Sequence, residues 1–129
     1  MVQVKIYGLD EKLNPKKKTF SEVIHSCVVE SLKMPKDKKF HRFFPLDKES
    51  FFFPSSRSDD YTIIEIIMFE GRKLDTKKEL IKNLYEKLEK ELKISPNDIE
   101  IVIIESPKCN WGIRGVPGDE LSLNYNVKI

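Results

Sequence analysis

"YTIIEIIMFEGRKLDTKKELIKNLYEKLEKELKISPNDIEIVII", residues 61–104, is the stretch on which the fold turns. It opens with "YTIIEIIMF", a β-branched run suited to a strand. "EGR" at 70–72 turns the chain, and Thr76 with Glu79 fits a helix capping box, with a start one turn earlier as the alternative. Leu80, Leu84, Leu88 and Leu92 then recur every four residues, the stripe of a helix that buries one face. "IEIVII" at 99–104 closes the unit as another strand. The segment reads as β-α-β.

The same unit stands 60 residues earlier. Val2, Val4 and Ile6 alternate with Gln3 and Lys5 in a strand over Val2–Tyr7, where Val4 and Ile6 match Ile64 and Ile66. Asn14 followed by Pro15 makes a favourable helix start. Phe20, Ile24, Val28 and Leu32 match the leucine stripe, and Pro35 stops the helix. "LKMP" corresponds to "LKISP" with one insertion. Phe40–Phe44 supplies the closing strand, and residues 45–60, with "FFFPSSRSDD", read as a loop between the halves. A right-handed crossover makes the strands of each unit parallel.

The expected class is therefore α+β: a tandem β-α-β repeat forming a four-stranded mixed sheet, two helices on one face and a C-terminal strand. Residues 1–129 read as one domain, with repeat one over about 1–45, repeat two over about 60–106 and a C-terminal hairpin or strand over 107–129. Two helices cover one side of a sheet only. Ile63, Ile64, Ile66, Ile67 and Met68 are apolar on both faces of their strand, as are Ile101, Val102, Ile103 and Ile104. Strands with one solvated face alternate instead, so self-association is expected to cover the other side. Leu121, Leu123, Tyr125, Val127 and Ile129 alternate with polar residues, a pattern suited to a strand added at a sheet edge, whether its own or a neighbour's.

Composition removes several classes of function. Acidic and basic residues nearly cancel at a net charge of +2, which calls for neither a nucleic-acid nor an anionic-membrane partner. No apolar run approaches the roughly 20 residues of a membrane span, and the amino terminus lacks a signal-peptide core. Cys27 and Cys109 are expected as reduced thiols in a cytoplasmic protein. His25 and His41 lie in separate elements without cysteine at ligand spacing, so no metal is expected. Gly112, Gly115 and Gly118 precede no helix and form no dinucleotide site, and no cofactor is expected. Ser21 and Ser26 read as helix-surface residues.

Four of the 23 basic residues are arginine: Arg42, Arg57, Arg72 and Arg114. All four fall outside the expected helices, where lysine dominates. Arginine grips a carboxylate with two parallel hydrogen bonds, whereas lysine suits a solvated surface. "CNWGIRGVPGDE" at 109–120 sets Arg114 beside the only tryptophan, Trp111, in a glycine-rich segment.

The double β-α-β unit, "RSDDYTIIEI" at 57–66, "EGR" at 70–72 and "NWGIRG" at 110–115 together resemble the tautomerase superfamily, which includes 4-oxalocrotonate tautomerase, malonate semialdehyde decarboxylase and macrophage migration inhibitory factor. The resemblance spans essentially the whole chain and implies a homotrimer with active sites near subunit boundaries. It also implies an amino-terminal proline as catalytic base, with arginines holding a substrate carboxylate. The second residue here is Val2, so the base would be the Val2 amine after removal of Met1. Proline-type chemistry is expected to be weak or absent. Arg72 matches the family arginine after the third strand and is the candidate for holding a carboxylate. Arg114 and Trp111 would line a pocket or a subunit seam. Glu70 stands where decarboxylase-like members carry a further arginine, which argues against that activity. Two functions stay open: an isomerase-like enzyme for a small 2-oxo or enol carboxylate, and a non-catalytic trimer that binds a small anion or serves as structure.

Overall fold

The computed structural model describes all residues, Met1–Ile129. Strands β1 (Val2–Leu9) and β3 (Thr62–Phe69) lie antiparallel at the centre, with Val4 opposite Ile66 and Ile6 opposite Ile64. β2 (His41–Leu46) pairs parallel with β1, and β4 (Ile99–Ser106) pairs parallel with β3, giving the order β2-β1-β3-β4. Two long helices, α2 (Lys17–Leu32) and α3 (Leu74–Leu92), pack on one face over alternate side chains of the central strands. A short hairpin of β5 (Gly112–Ile113) and β6 (Val116–Pro117) follows the sheet.

The repeat holds to the residue. β1 and β3 start and end 60 positions apart and share one order of buried and half-buried residues. All eight stripe residues, Phe20 to Leu32 and Leu80 to Leu92, are buried. Truncating a buried leucine of this kind to alanine typically costs about 2–5 kcal/mol. Both helices end on a lysine in the left-handed conformation, Lys33 with φ 54° and Lys93 with φ 58°. That turn satisfies the last helical carbonyls and drops the next residue, Met34 or Ile94, into the core.

Three local expectations change. The first helical segment begins before Asn14: α1 (Asp10–Leu13) follows β1 directly, and Pro15 lies in a 3₁₀ turn, Asn14–Lys16, between α1 and α2. Burial of Leu13 draws that turn inward. The capping box does not form, because α3 has already begun at Leu74 and Thr76 lies inside its first turn. Residues 121–129 form no ladder; the C-terminal extended pair is the β5–β6 hairpin. The alternation is nonetheless real, since Leu121, Leu123, Tyr125, Val127 and Ile129 are the more buried residues of the tail. The tail folds back over its own chain. Val127 covers Gly71, and the Lys73 N–H donates to the Ile129 carbonyl at 2.8 Å.

The second face of the sheet has no helix on it. Tyr7 donates to Glu65 at 2.8 Å there and stacks on Phe44. Beside that polar strip, register brings Ile67 next to Ile104 and Glu65 next to Val102. Val102 and Ile104 remain 43% and 41% exposed.

Candidate active site

Antiparallel pairing of β1 with β3 sets Val2 opposite Met68, which brings the amino terminus to the point where β3 ends and α3 begins. The α2–β2 connection crosses the same end of the sheet and contributes Met34, Lys38 and Phe40. The hairpin and tail close over it with Ile113, Arg114 and the segment Leu121–Tyr125. Together they enclose a cavity of about 270 Å³ that Met1 enters. Two cations, Lys38 and Arg114, are on its lining, and no carboxylate is.

The Met1 amine is hydrogen-bonded to the Tyr125 hydroxyl. Burial strips water from the ammonium form, and the positive charges of Arg72, Lys108 and Lys38 oppose it further. Its pKa falls from 8.0 to about 5. At neutral pH the nitrogen therefore carries a free lone pair. Burial pushes the Tyr125 phenol upward against the pull of Arg72 and Arg114, so its proton stays in place.

Arg72 lies behind the cavity wall. Only 4% exposed, it donates to the Phe69 carbonyl at 3.2 Å and meets the Met34 sulfur at 3.6 Å, while its Nε has no partner. No carboxylate neutralises it directly, since the nearby Glu105 is bound to Lys77 at 2.7 Å. Desolvation lowers its pKa. A buried guanidinium with so few partners is costly to keep.

The expected site residues divide. Arg114 lines the cavity, held in a left-handed turn with φ 49° ahead of Gly115. Arg72 charges the cavity from beneath. Trp111 backs the wall: its ring meets Phe69 edge-on at 5.2 Å, and its indole N–H has no partner. Gly118 permits this, because a Cβ there would stand 2.4 Å from the Lys108 carbonyl oxygen. Val2 touches the cavity, but its side chain belongs to the core, and the amine that opens into the space is that of Met1. Glu70 is exposed, with its N–H bound to the Ser106 carbonyl. Tyr125, Lys38 and the Met1 nitrogen are the residues that reading the sequence missed.

The repeat offers a matching position at the opposite end of the central strands. Tyr61 stands there, 60 residues after Met1, and Leu13, Phe20 and Ile94 leave only about 10 Å³. Ser21, expected on a helix surface, is instead buried with its Oγ 2.8 Å from His41 Nδ1. Burial first, then the charges of His25 and Lys39, lower the His41 pKa to about 4. No third side chain orients that pair as a nucleophile requires. No group of three His, Cys, Asp or Glu side chains is placed to hold a metal ion, and no helix is long and apolar enough to cross a membrane.

Comparison with known proteins bears on the fold and the family. The structure is similar to malonate semialdehyde decarboxylase, at 18% identity and a TM-score of 0.80, covering 92% of this chain and 99% of that one. It is similar to native fused 4-OT, at 18% identity and a TM-score of 0.80, covering 92% and 98%. A member of the cis-3-chloroacrylic acid dehalogenase family matches at 16% identity and a TM-score of 0.78, covering 92% and 87%. These likenesses show a shared fold. Residues 38–114, more than half the chain, match the family described as tautomerase enzyme, and they include both Arg72 and Arg114. The chain belongs to the tautomerase family.

Proposed function

We propose that the protein is a cytoplasmic, isomerase-like enzyme that moves a proton within a small 2-oxo or enol carboxylate, with the Met1 amine as its base. The observation that carries this reading is the terminal amine placed inside a cavity whose lining holds Lys38 and Arg114 and no carboxylate, where burial and the charges of Arg72, Lys108 and Lys38 lower its pKa. The substrate carboxylate is held by Arg114 and Lys38. The Met1 nitrogen takes the proton of the enol hydroxyl, and the negative charge spreads over the enolate, where Arg72 and its neighbouring cations stabilise it. The Met1 ammonium then returns that proton to carbon, giving the keto acid and the free amine. A primary amine on a flexible methionine is less well placed than a ring nitrogen, so turnover is slow.

The test is ketonisation of phenylpyruvate enol by the full chain across pH. A base must be unprotonated to act, so kcat/KM rises with pH and levels off above its pKa. The rising limb is expected to centre near 5, the value set by burial and the neighbouring cations. A limb near 8.0 would mean that the amine is solvated. No rate above buffer, together with thermal stabilisation by the same acid, would instead favour a binding protein that has lost its chemistry.

The assembly we propose is a homotrimer. Fused 4-OT structures of this fold are trimers, and the row of Ile63, Ile67, Val102 and Ile104 leaves an apolar surface on the helix-free face. Light scattering should find three times 15.1 kDa. A single-chain mass at micromolar concentration would refute the trimer.

A further inference from the structure

The connection between α2 and β2 brings Met34, Lys38 and Phe40 to the cavity. The fold fixes both of its ends. Met34 is buried in the core, and the Phe40 carbonyl accepts the Val4 N–H at 2.9 Å as β2 begins. Residues 35–39 between them belong to no helix or strand. Lys36, Asp37 and Lys39 are exposed there, and Lys38 alone among these charged residues is half-buried.

One backbone bond closes the turn, from the Lys38 N–H to the Pro35 carbonyl at 3.1 Å. The side chain that holds it is His25, whose Nε2 lies 2.7 Å from the Lys36 carbonyl oxygen. A carbonyl oxygen only accepts, so Nε2 carries the proton and donates. Nδ1 is then left buried without a partner, an unfavourable arrangement that an apolar side chain on α2 would avoid. The ring packs edge-on against His41 with 5.9 Å between centroids, and His41 is itself tied to Ser21 at 2.8 Å. Helix α2 thus carries a braced donor aimed at the middle of the turn that leads to Lys38.

We propose that His25 is a positioning residue for the cavity, fastening the Pro35–Lys38 turn so that Lys38 stands ready for the substrate carboxylate. A lysine on an unfastened turn has to be ordered each time an acid binds, and the lost entropy weakens binding. Fastening the turn beforehand removes that penalty. His25 touches no ligand; it acts through Lys38, on affinity rather than on the reaction. The inference rests on the proposed function in assigning Lys38 to the substrate carboxylate.

The experiment compares His25→Phe, which keeps a ring against His41 but has no donor, with His25→Gln, which keeps an N–H at similar reach. Far-ultraviolet circular dichroism confirms that each is folded. Amide exchange at Lys38 reports the turn, and His25→Phe should speed it roughly three- to ten-fold, the effect of one lost hydrogen bond. Calorimetry with phenylpyruvate near neutral pH reports the cavity, and the Kd should rise by a similar factor. His25→Gln should return both to near the parent values. In a Lys38→Ala chain, His25→Phe should weaken binding no further, because its route is gone. Where the enol is turned over, the loss should appear in KM with kcat unchanged. Unchanged exchange, a loss that His25→Gln does not restore, or equal weakening with and without Lys38 would each overturn the proposal. So would a parent chain that binds no phenylpyruvate. Binding that responds to His25 without any turnover removes the isomerase and keeps the positioning role, whereas turnover indifferent to His25 does the reverse.

Discussion

Acetylating the amino terminus is expected to slow phenylpyruvate ketonisation by roughly 10²–10⁴-fold, the usual contribution of a general base. An amide nitrogen has no basic lone pair, and the Met1 amine in the cavity is the one whose pKa burial lowers to about 5. Lys38 shares the lining and is assigned to the substrate carboxylate in the proposed mechanism. Chain produced with an amino-terminal acetyltransferase serves as the test, with its far-ultraviolet circular dichroism compared with that of the free chain. Equal folding and a large loss of rate support the amine as base. Equal rates would move the base elsewhere, and Lys38 would be the next residue to replace.

The second large effect is expected at Arg72. Its guanidinium is buried with one carbonyl and one sulfur as partners and an Nε with none. Replacing a poorly compensated buried charge with an apolar side chain of similar length is often neutral or stabilising by about 1–4 kcal/mol. Arg72→Met is therefore expected to raise the thermal midpoint or leave it unchanged. The same change removes the most strongly acting of the charges that lower the Met1 pKa, and it removes positive charge from beneath the proposed enolate. Activity should fall by roughly 10–100-fold, in line with the ~1.5–3 kcal/mol of a charged interaction. Stability and activity then move in opposite directions, as at residues kept for chemistry. An Arg72 that merely ties down loop carbonyls gives the other result: Arg72→Met would lower the thermal midpoint and leave the pH profile where it was.

Much of this fold was legible because the chain states it twice. Val4 with Ile6 and Ile64 with Ile66 each alternate with polar or half-buried neighbours, and two stripes at four-residue spacing leave little choice of helix face. The repeat extends to features that no periodicity announces, such as the left-handed Lys33 and Lys93. Asp10–Leu13 escaped because a single helical turn has no period to detect. The alternation of residues 121–129 was seen, and within one chain those side chains pack inward without forming a ladder. Apolar alternation specifies which side chains turn inward, while the partner that receives them is a matter of tertiary packing.

The site was legible only in part, for a related reason. Arg72 and Arg114 stood out because arginine is scarce here and lysine abundant. Lys38 had no such contrast. Tyr125 is 124 residues from the nitrogen it bonds, and nothing local marks it. Register sets Val2 opposite Met68 and so carries Met1 to the cavity, a placement that strand pairing decides and no single residue announces.

Nitrogen-15 resonance of the Met1 amine, followed through a pH titration of selectively labelled chain, is the most direct measurement of whether that nitrogen is a free base inside the protein. A midpoint near 5 is expected. A midpoint near 8.0, the value of an amine open to water, would contradict the site and the base together.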